Sequence, residues 1–116
     1  GEFSGTRMRL REIYHRLNSF LNSAVKFFEL LGYWGPLHFR VHLGRIDVFG
    51  LDPYPMETLD EQLLYCPDTE LEIEEVVLAG VLEAERQRRV LQAMQRIGWA
   101  FNLDCRKSDF LVFDKK

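Results

Sequence analysis

Residues 32–52, GYWGPLHFRVHLGRIDVFGLD, constrain the fold of this chain more than any other stretch. The first five of them include two glycines and a proline, which favour the end of a helix. From Leu37 to Leu43 apolar and polar side chains then alternate strictly, with the period of a strand that buries one face. Gly44 allows a turn before a second apolar run at residues 46–51. The stretch therefore predicts a β-hairpin against which the flanking segments pack.

Helical periodicity is present on both sides of this hairpin. Between residues 6 and 31, apolar side chains recur every three or four positions, which predicts an amphipathic helix with a basic and polar exposed face. Gly32 is placed to end this helix. Residues 81–101 predict a second helix. Its apolar positions that can face the core are Leu82, Val90, Leu91, Met94, Ile97 and Phe101.

Two further strands are predicted after the prolines that end the hairpin. Glu70–Leu78 alternates acidic and apolar side chains, which predicts a strand with an acidic outer face. A continuous helix from Leu71 is the alternative, because glutamate is a better helix former than strand former. Residues 53–68 are expected to be a loop, and residues 110–113 a short closing strand.

These segments predict a single α+β domain over residues 1–116, in the order helix, β-hairpin, strand, helix, short strand. A small antiparallel sheet would be covered on one face by the two helices. At 13.7 kDa the chain is long enough to bury a core without disulfides or metal. Because it does not begin with Met, we expect it to be excised from a larger protein, and residues 1–6 include features of a cloning remnant.

The net charge of −3 conceals three blocks of different sign. Residues 1–50 hold seven basic and four acidic side chains, and residues 51–85 hold no basic and eleven acidic side chains. Residues 86–116 hold eight basic and three acidic side chains. Such blocks can pair inside the fold or present separate faces to partners. We favour pairing inside the fold.

Composition and segment length narrow the class of protein. No apolar run approaches the ~18 residues that a membrane span needs, and the polar N-terminal segment lacks the apolar core of a signal peptide. Cys66 and Cys105 lie in unrelated contexts with no CxxC motif, so two reduced thiols are expected. These features predict a cytoplasmic protein with no membrane partner.

Few side chains are spaced for catalysis or metal binding. His38 and His42 share one strand face but lie about 13 Å apart at ~3.3 Å per residue, too far to share an ion. Glu70, Glu72 and Glu74 are like charges on one strand face, more typical of a solvated edge than of an acid/base pair. Neither GxxxxGK[ST] nor GxGxxG occurs. We expect no enzyme activity, no cofactor and no metal.

Basic side chains on the two helices are candidates for contacts with nucleic-acid phosphates. The six chosen are Arg7, Arg11, Lys26, Arg86, Arg89 and Arg96. Exposed aromatic residues suit protein–protein interfaces, and Tyr54 and Tyr65 are the candidates for such contacts. Trp34 and Trp99 are instead expected to close the ends of the core.

The segment from Gly32 to Val41, the strand that begins at Gly44 and the IGWAF run at residues 97–101 resemble part of a known family. They are similar to the region downstream of the AlbA-like domain in bacterial Schlafen-type, RecG-related DNA-binding proteins. The resemblance covers residues 30–102 and includes no catalytic motif, so no functional residue is carried over. It implies an accessory domain of a regulator.

The function expected is a non-catalytic interaction or regulatory module of a larger intracellular, nucleic-acid-associated protein, for example in transcription regulation. It would act through a protein partner or through self-association. Direct nucleic-acid binding through the basic helix faces is one alternative. A small-ligand or enzyme domain that uses the polar hairpin face is another, with His38, Arg40, His42 and Asp47 as its residues.

Overall fold

Helices and short strands form the chain in the computed structural model, which describes residues 7–46, 50–54, 64, 66–103 and 105–114. This composition confirms the α+β class. The elements in chain order are β1 (Arg7–Arg9), α1 (Leu10–Leu31), β2 (Pro36–Gly44), β3 (Gly50–Asp52), β4 (Glu70–Leu78) and α2 (Leu82–Ala100). Two 3₁₀ segments, Ala79–Val81 and Lys107–Asp114, precede and follow α2.

Helix α1 ends where the sequence predicts. Gly32 adopts a left-handed conformation with φ 67°, and its N–H donates to the Glu29 carbonyl over 3.1 Å. The Tyr33 N–H donates to the Phe28 carbonyl over 3.0 Å, which completes a Schellman cap. The helix begins at Leu10 rather than at residue 6, because the preceding residues Arg7–Arg9 pair as a strand.

The predicted hairpin between β2 and β3 is wrong. β2 pairs antiparallel with β4, from Pro36 opposite Leu78 to Gly44 opposite Glu70. β3 instead pairs in parallel with β1. Arg45 takes a left-handed conformation with φ 56°, so the chain leaves β2 there. Between residues 40–43 of β2 and residues 71–74 of β4, basic and acidic side chains share one face and apolar side chains share the other, which fits these segments to each other.

Of the two other predicted strands, one is confirmed and one is wrong. The strand Glu70–Leu78 is confirmed, and the alternative helix from Leu71 does not form. The closing strand at residues 110–113 is wrong, because Lys107–Asp114 is a 3₁₀ helix. Three residues per turn place Phe110 and Phe113 on one side of it, and both are buried.

The core lies between the two helices and the inner face of the β2–β4 pair. α1 packs against α2, and α2 packs against β4 and the final 3₁₀ helix. Tyr14 of α1, Ile73 of β4 and Ile97 of α2 are fully buried. Of the predicted apolar face of α2, Leu91 is half-buried. The others, Leu82, Val90, Met94, Ile97 and Phe101, are buried. Among the described helices, none is long and apolar enough to cross a membrane.

Candidate interaction surface

The outer face of the β2–β4 pair is a ladder of contacts between basic and acidic side chains. The Arg40 guanidinium lies 2.9 Å from the Glu74 carboxylate and 3.6 Å from that of Glu72. His38 lies 3.4 Å from Glu74, and His42 lies 3.7 Å from Glu70. The expected pairing of charge blocks inside the fold is therefore seen on this face.

This ladder bears on the alternative of a ligand or enzyme site on the polar face of β2. His38, Arg40 and His42 are spread along one strand and face glutamates, and they do not converge on a cavity. Asp47 lies outside the described residues. Within the described part of the chain, no three His, Cys, Asp or Glu side chains are grouped to hold a metal ion.

Two of the basic residues chosen for nucleic-acid contact bind other parts of the chain. Arg86 of α2 donates to the Asn18 side-chain oxygen of α1. Arg89 lies 3.0 Å from the Glu75 carboxylate of β4 and 3.1 Å from that of Glu85, and its side chain is only 17% exposed. The hydrogen bond from Arg89 lowers the pKa of Glu85. Both arginines thus join secondary-structure elements.

The other basic candidates are exposed but spread out. Arg11 and Lys26 lie on α1 about 22 Å apart at 1.5 Å per residue, and Arg96 lies on α2. The side chain of Arg7 lies outside the described residues. Arg11 and Lys26 therefore lie far apart along α1 rather than side by side.

Arg11 and Tyr54 line one cavity of about 640 Å³ at the start of α1. Arg11 is a candidate for contact with nucleic acid, and Tyr54 is a candidate for contact with a protein partner. The Tyr54 backbone N–H donates to the Asp52 carboxylate over 3.0 Å. Tyr65, the second interaction candidate, lies outside the described residues. The described residues that line the cavity are Arg9, Arg11, Glu12, His15, Asp52 and Tyr54.

Large apolar side chains are exposed along one flank of α1 and at its C-terminal end. Phe20, Phe27 and Leu31 are spaced seven and four residues apart, so they share that flank, and each is more than half exposed. Leu30 is 86% exposed. The apolar stripe of α1 is therefore wider than the face that the core covers.

The same end of the molecule carries further exposed apolar residues. The Ala79 N–H donates to the Gly35 carbonyl over 2.8 Å, which holds the end of β4 against the turn after α1. Trp34 is 72% exposed, which corrects the expectation that it closes the core, and Leu78 and Val76 of β4 are also exposed. Trp99 of α2 is 55% exposed, so the expectation that it closes the core is wrong as well.

We define the apolar end surface as Phe27, Leu30, Leu31, Trp34, Val76 and Leu78. The sequence did not predict this surface, because Phe27 and Leu31 were assigned with the apolar stripe of α1 to the core and Trp34 was expected to close the core. The width of the apolar stripe of α1 was the feature of the sequence that could have predicted exposed apolar residues. One packed face cannot bury a stripe that extends around more than half of the helix.

Strand β2 has one paired and one open edge among the described residues. The bond from Ala79 to Gly35 identifies Gly35 and Ala79 as a hydrogen-bonded pair of the ladder. Because such pairs alternate, residues 37, 39, 41 and 43 direct their backbone groups toward β4. His38, Arg40 and His42 direct theirs toward the open edge.

A groove of about 170 Å³ lies beside this edge, between α1 and the inner face of β2. Its lining is mostly apolar and includes Phe20 of the exposed flank of α1. The lining residues are Leu17, Phe20, Leu21, Phe39, Arg40 and Val41.

Two carboxyl groups face each other near the apolar end surface. Hydrogen bonding and charge repulsion between Glu29 at the end of α1 and Glu83 at the start of α2 raise the pKa of Glu29. Both residues line a cavity of about 180 Å³ beside Trp34 and Gly80.

Comparison with known protein families, curated proteins and solved structures finds no match. The resemblance to the Schlafen-type proteins therefore stays a prediction.

Proposed function

We propose that the chain is a non-catalytic interaction or regulatory module of a larger intracellular, nucleic-acid-associated protein. It acts by binding a protein partner or a second copy of itself. The observation that carries the proposal is the apolar end surface, in which six large side chains are exposed on adjoining elements. Large apolar side chains left exposed at one end of a fold are candidates for contact with a partner.

The composition of the apolar end surface also suits an interface. It contains a tryptophan and a phenylalanine, and aromatic residues are enriched where proteins meet. Burying Leu30 or Trp34 against a partner would remove from water apolar area that the fold leaves exposed. Each Å² removed stabilises the complex by about 25 cal/mol. The gain in free energy favours association.

The contacts of the basic residues favour this function over direct nucleic-acid binding. Arg89 donates through Nε, Nη1 and Nη2 to Glu75 and Glu85, and Arg86 donates through Nη1 to Asn18. Binding nucleic acid through them would compete with those contacts.

Sedimentation velocity of the chain over a range of concentrations tests self-association. We expect a dimer at high concentration that is lost when Leu30→Ser and Trp34→Ser are combined. Asn22→Ser, at an exposed polar position on another face of α1, is the matched control and should leave the mass unchanged. A dimer that survives the double substitution contradicts the role of the apolar end surface.

A monomer at every concentration excludes self-association and leaves a different protein as the partner. A photoreactive benzophenone side chain at position 30 in the parent protein then tests contact in cells, with the same group at position 22 as its control. Adducts specific to position 30 that also form with the purified partner support the proposal. Equal labelling from both positions contradicts it.

A further inference from the structure

The cavity beside Trp34 and Gly80 combines aromatic rings with carboxyl groups. Its described lining includes the aromatic residues Phe28, Tyr33 and Trp34, and both of its charged lining residues are acidic. At about 180 Å³ it is smaller than the roughly 300–1,000 Å³ of sites for drug-sized molecules. A single side chain of a partner is therefore a more suitable occupant than a free ligand of that size.

The fold holds the aromatic walls of this cavity in place. The Tyr33 hydroxyl donates to the Pro36 carbonyl over 2.9 Å, and the Tyr33 ring lies 5.6 Å from that of Phe28. Trp34 lies against Gly80, where an added Cβ would come within 2.7 Å of the indole. Trp34 is nevertheless 72% exposed, so much of its ring stays accessible. Walls that are already placed lose little conformational entropy on binding.

The two carboxyl groups of the cavity are paired with each other rather than with a cation. Hydrogen bonding to Glu83 and charge repulsion from it raise the pKa of Glu29. Within the described part of the chain, neither glutamate forms a salt bridge with a Lys, Arg or His side chain. Lys26 lies one turn before Glu29 and Arg86 one turn after Glu83, but Arg86 donates to Asn18.

The helix ends at the cavity differ in how they affect these charges. Glu83 lies in the first turn of α2, where the helix dipole favours a negative charge. Glu29 lies in the last turn of α1, where the dipole favours a cation, and that turn contains no basic residue. A cation in the cavity would therefore complement the end of α1 as well as the carboxyl pair.

We propose, on the basis of the proposed function, that this cavity receives an arginine side chain of the partner protein that covers the apolar end surface. Trp34 belongs to both the cavity and that surface, so one partner can contact both. A guanidinium group stacks on aromatic rings. Its planar set of five N–H donors can reach both carboxylates, whereas the ammonium group of lysine is a more strongly hydrated point charge.

Titration of the 116-residue chain with the peptide acetyl-Gly-Leu-Arg-Leu-Gly-amide tests this proposal. The readout is the indole N–H resonance of Trp34. Trp99 is the internal control, because it lies about 24 Å from Glu83 along α2 at 1.5 Å per residue. We expect the Trp34 resonance to shift and that of Trp99 to stay. No shift of Trp34, or equal shifts of both, overturns the proposal.

Two control peptides separate charge from shape. Citrulline in place of arginine keeps the planar group but removes its charge, and should bind at least about tenfold more weakly. Lysine keeps the charge but not the planar donors, and should also bind more weakly than arginine. Equal binding of the citrulline peptide overturns the role of charge, and equal binding of the lysine peptide overturns the choice of arginine.

Variants of the carboxyl pair test its part in binding. Glu29→Gln combined with Glu83→Gln removes the charges with little change in side-chain size, and should weaken binding of the arginine peptide at least about tenfold. Glu70→Gln combined with Glu72→Gln, on β4, makes the same change in net charge and should leave binding unchanged. Equal losses in the two double variants would show non-specific attraction and overturn the proposal.

A pair of glycine variants tests the aromatic wall without changing charge. Gly80→Ala directs a Cβ at the Trp34 indole, so the ring must move and binding should weaken. Gly44→Ala is the matched control, because a Cβ there would lie 3.6 Å from His42, an ordinary contact distance. Unchanged binding in Gly80→Ala contradicts the part assigned to Trp34.

The association detected through position 30 separates this proposal from the proposed function. The affinity of the dimer, or of the purified cross-linked partner, is measured with Glu29→Gln combined with Glu83→Gln. Affinity at least about tenfold weaker supports the arginine contact. If the affinity is unchanged, the arginine proposal fails and the proposed function stands. If the arginine peptide binds but no dimer or cross-link depends on position 30, the proposed function fails and with it the shared partner.

Discussion

The Tyr14 hydroxyl donates a 2.6 Å hydrogen bond to the Asp114 carboxylate, which joins the first helix to the last residue that the structure describes. Tyr14 is buried, and its ring lies 5.5 Å from that of Phe113. The final 3₁₀ helix is thus held by a polar contact and by aromatic packing together.

Replacing Tyr14 by Phe should destabilise the chain by about 1.5 kcal/mol. The change keeps the aromatic packing but removes the hydrogen bond to a charged acceptor. Urea unfolding measures the difference. Tyr33→Phe is the control, because the Tyr33 hydroxyl donates to the Pro36 carbonyl at an exposed position, where the loss should be smaller. Equal effects of the two substitutions would show that the bond to Asp114 adds no specific stability.

The stability advantage of Tyr14 over Phe should disappear at alkaline pH. Burial, followed by the hydrogen bond to Asp114, raises the pKa of Tyr14 far above its ordinary value of 10.0. Above pH 10 the unfolded chain loses this proton and the folded chain keeps it, so the free energy of unfolding falls as pH rises. The slope is up to about 1.4 kcal/mol per pH unit.

Unfolding curves of the wild type and Tyr14→Phe between neutral pH and pH values above 10 check this pH dependence. Contributions from other tyrosines and lysines cancel in the difference between the two proteins. If the difference in unfolding free energy between the two proteins stays constant with pH, Tyr14 has the same pKa in the folded and the unfolded chain.

Removing the Arg89 side chain should lower stability rather than abolish a binding activity. Arg89 joins α2 to β4 through Glu75 and is largely buried, so Arg89→Ala removes the cation beside the Glu75 carboxylate, while Glu85 keeps its contact with Arg88 over 2.7 Å. We expect a loss of about 1–2 kcal/mol in the free energy of unfolding. Arg96→Ala, at an exposed site, should change it by less than about 0.5 kcal/mol.

Titration with a short DNA duplex at low and moderate salt gives the complementary measurement. If Arg89 is structural, its side-chain resonance should not respond to DNA. Salt-dependent shifts centred on Arg86 and Arg89 would instead support direct nucleic-acid binding.

The elements set by local pattern were predicted well, and those set by long-range pairing were not. The alternation in Glu70–Leu78 and the stop at Gly32 depend on neighbouring residues, and both are found. Alternation in β2 fixes which face is buried but does not identify the neighbouring strand, so its pairing with β4 was missed. The short apolar run from Phe110 to Phe113 fits a strand or a 3₁₀ turn equally, and tertiary packing decides.

The candidate surface was harder to predict than the fold because it depends on which apolar residues stay uncovered. Periodicity placed Phe27 and Leu31 on the apolar stripe of α1 correctly, but only the folded structure shows that they remain exposed. Of the residues chosen for interaction, Tyr54 is exposed beside Arg11. It does not belong to the apolar end surface.

Replacing Glu29 by Gln should raise stability at neutral pH. Glu29 is close to Glu83 and lies in the last turn of α1, where the helix dipole disfavours a negative charge. Because the pKa of Glu29 is raised in the folded state, the folded chain binds a proton at Glu29 more tightly than the unfolded chain does. The free energy of unfolding of the wild type therefore rises as pH falls. The advantage of Glu29→Gln should therefore be largest at neutral pH and vanish in acid.

Thermal unfolding of the wild type and Glu29→Gln from neutral to acidic pH measures that advantage. Glu12→Gln is the matched control at the other end of the same helix. Glu12 pairs with Arg16 over 2.9 Å and lies in the first turn, where a negative charge is favoured, so its substitution should lower Tm at neutral pH. If both substitutions shift Tm in the same direction, loss of charge alone explains the effect and the Glu29–Glu83 contact does not. Opposite signs would show that a negative charge costs stability at the end of α1, beside the apolar end surface, and adds stability at its start.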